Sequence, residues 1–160
     1  MYDGSTETFE MLGRCNTVQI IATDGEKIFL ASEEQPGIKR ECTLFGGRID
    51  EGEEPLACAK RELMEEAGME SDDWELLKTY DPYTKTEWTI YLYVARNVKK
   101  VAEQKLDPGE KIETKEVDFD RFIDIAIHTP NFSGKDIALD IARMKIKGEL
   151  DGLRDKIITK

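Results

Sequence analysis

Residues 45–69 read FGGRIDEGEEPLACAKRELMEEAGM, and the second half of this stretch sets the architecture of the chain. Leu56, Ala59, Leu63 and Ala67 recur at spacings of three and four, Pro55 suits a first helical turn, and Gly68 suits the residue just past a helix end. The spacing predicts a helix over 55–67, with Leu56, Ala59 and Leu63 directed at the core. Residues three or four apart share a helix face, so Glu62, Glu65 and Glu66 converge on one patch. Like charges so placed repel by a few tenths of a kcal/mol per pair unless cations or Arg61 offset them. An acidic run on a helix is usually only a solvated face. A hard divalent ion such as magnesium nevertheless takes oxygen ligands, and carboxylates commonly hold it together with water and substrate phosphate oxygens.

Upstream, NTVQIIATDGEKIFLA (16–31) gives two short apolar runs around Asp24-Gly25, a hairpin signal, and so predicts two antiparallel strands. EEQPGIKR (33–40) has loop punctuation, and ECTLFGG (41–47) is a third apolar segment ending at two glycines. Downstream, WELLKTYDP (74–82) and EWTIYLYVARNV (87–98) are rich in aromatic and β-branched residues and predict strands. KLDPGEKIETKEVDF (105–119) gives a turn followed by an alternating segment. DRFIDIAI (120–127) and SGKDIALDIARMKIKG (133–148) have helical periodicity, the second with Ser133 placed to cap its start. Strands, helix, strands, helix in this order predict a mixed α/β sandwich rather than a parallel βαβ wind.

The chain has 160 residues, a length that predicts one domain over 1–160. Its 34 acidic and 23 basic residues give a formal charge of −11, which argues against nucleic acid or an anionic membrane as partner. An anionic ligand would need a cation as mediator. Cys15, Cys42 and Cys58 are odd in number and form no CxxC pair, so a disulfide framework or thiolate zinc site is not indicated and a cytoplasmic location is expected. No apolar run approaches membrane-spanning length.

The register of the opening stretch carries a resemblance. Gly47 is followed after five residues by Glu53, after seven more by Arg61-Glu62, then Leu63, one residue, Glu65-Glu66, one residue, Gly68 and Met69. This pattern over 47–69 is the Nudix box, with Met69 at its last bulky aliphatic position. Its seven fixed identities, at residue frequencies of roughly 5–7% each, coincide by chance at a given start less than about once in ten million tries. The chain is therefore identified as a member of the Nudix hydrolase superfamily. The resemblance implies an α/β/α sandwich with a mixed sheet and a loop-helix-loop whose Glu62, Glu65 and Glu66 bind metal. It places Glu53 and Arg61 at positions supporting the loop and helix, and Gly46 where a carbonyl often joins the metal shell. The implied cofactor is Mg2+, with Mn2+ as an alternative, and the implied reaction is attack of water on a pyrophosphate.

QKLDPGEKIE (104–113) resembles the acidic loop that ADP-ribose pyrophosphatases place over the metals, with Glu110 as metal ligand or base. Pro108 stands where many of those enzymes carry a further acid, so Glu110, Glu113 and Glu53 all remain candidates for the base. Arg40, Arg48 and Lys39 lie near the box and are candidates for phosphate contact, Arg40 and Arg48 above all. Tyr83 and Trp88 are candidates for stacking on a nucleobase, although aromatics in a sheet are more often simply packed. The resemblance is closest to the ADP-ribose and nucleoside diphosphate sugar pyrophosphatases. Phe45 departs from that branch, which commonly has proline there, and Pro82 stands slightly early for its later proline. Oxidised nucleoside triphosphates, dinucleoside polyphosphates and a non-catalytic nucleotide-binding module are the alternatives. The partner expected is a small nucleotide, with a homodimer as the candidate assembly.

Overall fold

A computed structural model describes residue 2 and residues 4–158. Its strands are β1 (Leu12–Gly13), β2 (Thr17–Thr23), β3 (Ile28–Gln35), β4 (Ile38–Thr43), β5 (Met69–Glu70), β6 (Asp73–Tyr80), β7 (Thr86–Glu87), β8 (Ile90–Arg96), β9 (Lys99–Lys100) and β10 (Lys111–Val117). The helices are α1 (Pro55–Ala67), α2 (Phe119–His128), α3 (Lys135–Lys147) and α4 (Leu150–Ile157). The main sheet runs β10-β3-β2-β8-β6, with β4 beside β3. It is mixed, because β2 and β8 are parallel while β6–β8, β2–β3, β3–β4 and β3–β10 are antiparallel.

Strand alternation sends side chains to two separate cores. Val18, Ile20, Ala22, Phe29, Ala31 and Ile112 meet Cys58, Ala59, Leu63 and Ala67 of α1 on one face. Ile21, Ile28, Leu30, Leu92 and Val94 meet Phe122, Ile137, Ile141 and Leu153 of α2, α3 and α4 on the other. The result is the expected α/β/α sandwich.

The hairpin at Asp24-Gly25 forms as predicted. Asp24 Oδ1 accepts from the N–H groups of Glu26 and Lys27, and Gly25 takes φ +102°. From this hairpin β2 and β3 splay apart, since they pair only at Ala22–Phe29 and Thr23–Ile28. The opening is filled by the box loop, whose Phe45 and Gly47 carbonyls accept from Ile20 and Val18 N–H at 2.9 Å. Phe45 is fully buried there. The fold thus opens its own sheet at the place where the conspicuous motif enters.

Four local expectations are corrected. The 33–40 segment is not a loop: β3 and β4 continue through it as a hairpin turning at Pro36-Gly37. Leu56 shares the azimuth of Leu63 but lies in the first turn of α1 and remains exposed. Ser133 does not cap α3, which begins after Gly134 without a side-chain cap; its hydroxyl bonds instead to the buried Thr43. A fourth helix, α4, follows Gly148, where the predicted elements ended.

Candidate active site

Helix α1 starts at Pro55 and stops at Gly68, whose φ of +64° is the left-handed conformation that terminates a helix, its N–H bonding back to Met64 O at 2.9 Å. Between these stops, α1 puts its apolar stripe on the sheet and Glu62, Glu65 and Glu66 along one edge. Glu66 is half-buried, and its Oε2 accepts from Gly46 N–H at 2.9 Å. Burial pushes the Glu66 carboxyl well above the usual range, against the pull of that hydrogen bond, and the charges of Glu62, Glu110 and Glu33 push in the same direction as burial. Glu62 is raised chiefly by burial as well, although Arg61 lowers it.

Arg61 is the internal counter-ion. Its Nε and Nη2 reach the two oxygens of Glu53 at 2.9 and 3.0 Å, a two-point pairing that suits a guanidinium and a carboxylate. Its Nη1 reaches Glu62 at 2.9 Å and Glu65 at 3.1 Å, and Nη2 also reaches Arg48 O at 3.2 Å. The pairing with Arg61, reinforced by the Asp50 N–H, holds the Glu53 carboxyl down to about 2. Buried Cys58 donates to Arg48 O at 3.3 Å, so the loop carbonyl is gripped from two positions on the helix.

The two box glycines are there for close approach. A Cβ at Gly46 would stand 2.1 Å from Val18 O, at a φ of +142°, and one at Gly47 would stand 2.2 Å from Glu62 Oε1. Opposite the helix, Glu110 lies at the end of a loop tied to the C-terminal turn of α1. Lys105 N–H donates to Glu65 O at 2.8 Å, and Gln104 Nε2 donates to Glu66 O. Glu110 Oε1 accepts from Gln35 Nε2 at 2.6 Å, and the same nitrogen donates to Glu33 Oε1 at 2.7 Å. Glu33 and Gln35 were not foreseen. Residues two apart on a strand share a face, but reading 33–40 as a loop concealed that signal.

The fold therefore gathers Glu33, Glu53, Arg61, Glu62, Glu65, Glu66 and Glu110 around the box, while other candidates stand elsewhere. Glu113 pairs with Ser32 and faces away from Ile112, which is buried with α1; it is exposed and 3.3 Å from Lys111. Arg40 is on the site side but is held by Glu33 at 2.7 Å. Arg48 exposes its side chain and contributes its carbonyl. Tyr83 and Trp88 stack on each other with centroids 6.0 Å apart, and the Arg14 guanidinium lies 4.1 Å from the Trp88 ring centre. Trp88 Nε1 donates to Thr17, whose backbone bridges to Arg48, so this stack adjoins the box loop.

The donor set is all oxygen and strongly anionic, which is the chemistry a hard divalent cation takes. Among the described residues, no three of these acids are already drawn into a metal cage. Glu62 and Glu65 turn to Arg61 instead, as mutually repelling carboxylates do when a guanidinium is within reach.

The profile of the NUDIX domain family matches residues 13–134. The chain belongs to the Nudix hydrolase family. This Nudix chain is 30% identical over 123 residues to a methanol dehydrogenase activator of Bacillus methanolicus, a stretch that covers 74% of this chain and 66% of that protein. The Nudix chain thus spans about two thirds of that relative's length. Among solved structures, the crystal structure of an ADP compounds hydrolase matches at a TM-score of 0.64 and 23% identity, over 84% of this chain and 74% of that one. A MutT structure, from work on Aliivibrio salmonicida and Vibrio cholerae, matches at a TM-score of 0.60 and 16% identity, over 82% and 98%. At these identities the two structures establish the Nudix fold. No helix among the described residues is long and apolar enough to cross a membrane.

Proposed function

We propose that this single-domain Nudix protein is a cytoplasmic, Mg2+-dependent hydrolase of the pyrophosphate bond in a nucleoside diphosphate linked to a second moiety, ADP-ribose or a nucleotide sugar, with Mn2+ as a substitute ion. The observation that carries the reading is the juxtaposition of Glu62 and Glu66, both raised by burial, with Glu110 across from them in a chain of charge −11. Such a site can meet a pyrophosphate only with cations between them. Bound divalent ions would supply polarisation of phosphate oxygens and a lowered pKa for bound water.

Glu62, Glu65, Glu66 and Glu110 would hold the ions, joined by the Gly46 carbonyl. Glu53 and Arg61 orient the helix edge and the Arg48 carbonyl. Of the three base candidates, Glu53 has both oxygens on Arg61 and is held near 2, which makes it a poor proton acceptor. Glu113 faces away from the carboxylate edge. Glu110 faces the cluster and is aimed by Gln35, so it is the base of this proposal. Arg48 and Arg40 would contact the substrate phosphates, Arg40 after leaving Glu33. The outer face of Tyr83, 63% exposed, would take the nucleobase, since Trp88 is already engaged by both Tyr83 and Arg14.

The fold neighbour described as an ADP compounds hydrolase supports ADP-ribose as the first substrate to assay. The test is magnesium-dependent release of AMP from ADP-ribose, run beside GDP-mannose, UDP-glucose, dinucleoside polyphosphates and nucleoside triphosphates. Cleavage of ADP-ribose or a nucleotide sugar that is lost in Glu110→Gln supports the proposal. Cleavage of triphosphates alone moves the substrate to the MutT-like alternative, and binding without cleavage of any of them refutes hydrolysis.

A further inference from the structure

A groove lies on the face of the sheet opposite the carboxylates. It is open-sided, about 430 Å³ in volume, between β6, α3 and α4, with Leu77, Leu92, Ile137, Met144 and Leu153 along its floor. Small-molecule pockets commonly measure ~300–1,000 Å³ and pair an apolar lining with a few polar groups. The groove has that composition. Its rim carries Lys78, Arg143, Lys147 and Lys156 against Asp140 and Glu149, a cationic balance in a chain where 34 acids outnumber 23 bases.

Two polar fixtures hold the walls in place. Asp140 on α3 accepts from Lys78 Nζ at 2.6 Å and Tyr80 Oη at 3.0 Å, both on β6. Arg96, buried on β8, donates from Nε to Lys156 O of α4 at 2.6 Å. Asp140 also lies 3.5 Å from Arg143, so Lys78 and Arg143 are both engaged. Among the described residues neither Lys147 nor Lys156 is in an ion pair.

Gly152 provides an independent observation. It stands in the first turn of α4, although glycine is a weak helix former, and it lines the groove. A Cβ there would meet nothing within 4 Å, and its backbone is not in the left-handed region. Neither packing nor conformation asks for glycine at this position. Its effect is to leave one wall of the groove without a side chain.

We propose that this groove is a second binding site, for a small anion with an apolar body, whose hydrocarbon or aryl part lies on Leu77, Leu92 and Leu153 and whose acidic head meets Lys147 and Lys156. The site is remote from the box and assumes nothing about hydrolysis. The test titrates the metal-free protein with anilinonaphthalene sulfonate, followed by fluorescence and by methyl NMR. Decanoate, decyl phosphate, decyltrimethylammonium and inorganic phosphate serve as competitors.

Saturable one-to-one binding is expected, displaced by the two apolar anions and not by the ammonium or by inorganic phosphate. Whichever apolar anion displaces at the lower concentration identifies the head group. Methyl shifts centre on Leu77, Leu92, Ile137 and Leu153. Lys147→Glu combined with Lys156→Glu weakens binding by about tenfold. Gly152→Phe abolishes it while unfolding stays cooperative. No saturable binding, equal displacement by the ammonium, unchanged affinity in either folded variant, or shifts centred on Val18 and Ala59 would each overturn the proposal. If Gly152→Phe does not fold, the charge-reversal variant decides.

Discussion

Replacing Gly47 by alanine should separate the chemistry of the box from the stability of the fold. A Cβ at residue 47 would lie 2.2 Å from Glu62 Oε1 and 2.5 Å from its carboxyl carbon. Comfortable contact between heavy atoms begins near ~3.5 Å, so the carboxylate must retreat by roughly 1 Å. The obstacle is the end of a side chain, which can move at the expense of its 2.9 Å contact with Arg61. Losing that partly exposed contact costs about 1 kcal/mol or less, and alanine returns a similar amount by restricting the unfolded chain. The melting temperature should therefore stay within about 4 °C of wild type. A misplacement of about 1 Å in a reacting constellation costs on the order of a hundredfold in rate. The neighbouring glycine gives the contrast. Gly46→Ala would drive a Cβ to 2.1 Å from the Val18 carbonyl at φ +142°, and since backbone cannot step aside, a loss of roughly 3 kcal/mol or more is expected. Thermal melts and magnesium titrations of hydrolysis read both variants. Wild-type turnover and magnesium dependence in Gly47→Ala would refute the placement of Glu62 at the metal edge.

Glu66→Gln keeps an oxygen for the Gly46 N–H but removes a charge that burial disfavours, so magnesium-dependent hydrolysis should fall by about a hundredfold or more while the metal-free protein melts no lower than wild type. The folded pKa of Glu66 lies above that of an unfolded glutamate, so metal-free wild type should lose stability as pH rises through the folded value, and Glu66→Gln should lack that component in pH-dependent melts. Glu53 has the opposite sign. Its stabilisation is complete above the ordinary value of 4.5 and is lost as pH falls toward about 2, so acid unfolding of Glu53→Gln should be flatter across that window. Trp88→Ala removes the support under Tyr83 and should raise the KM for ADP-ribose by about tenfold with little change in kcat; an unchanged KM would take the stack out of substrate binding.

The box helix was legible in its bounds, because Pro55, the apolar spacing and Gly68 are local signals, although Leu56, counted with that spacing, stays exposed. The hairpin at Asp24-Gly25 was legible for the same reason. What the sequence concealed is pairing at a distance. Pro36-Gly37 looks like a loop from its own composition, yet the residues of β3 before it pair both with β4 after it and with β10, and that register is what carries Glu33 and Gln35 to Glu110. Glu113 went the other way: one residue of register from Ile112 puts it on the far face of the sheet. Ser133 resembled a cap because capping is read from neighbours, whereas the buried hydroxyl of Thr43, ninety residues away, claims it. The helix α4 is short and carries glycine in its first turn, so its local signal is weak.

Arg61 has a consequence for how the site loads. In the proposed site, a cation would meet one oxygen of Glu62 and one of Glu65 already bonded to the guanidinium, and would share these carboxylates with it or displace it. Where it displaces the guanidinium, occupancy would exchange one positive charge for another, and its free energy would be the difference between two attractions. The two-point hold of Glu53 would keep Arg61 tethered to the loop through that exchange. An ion of weak charge density would gain little over the arginine it displaces, so the resident guanidinium would set a threshold that favours small divalent ions over monovalent ones.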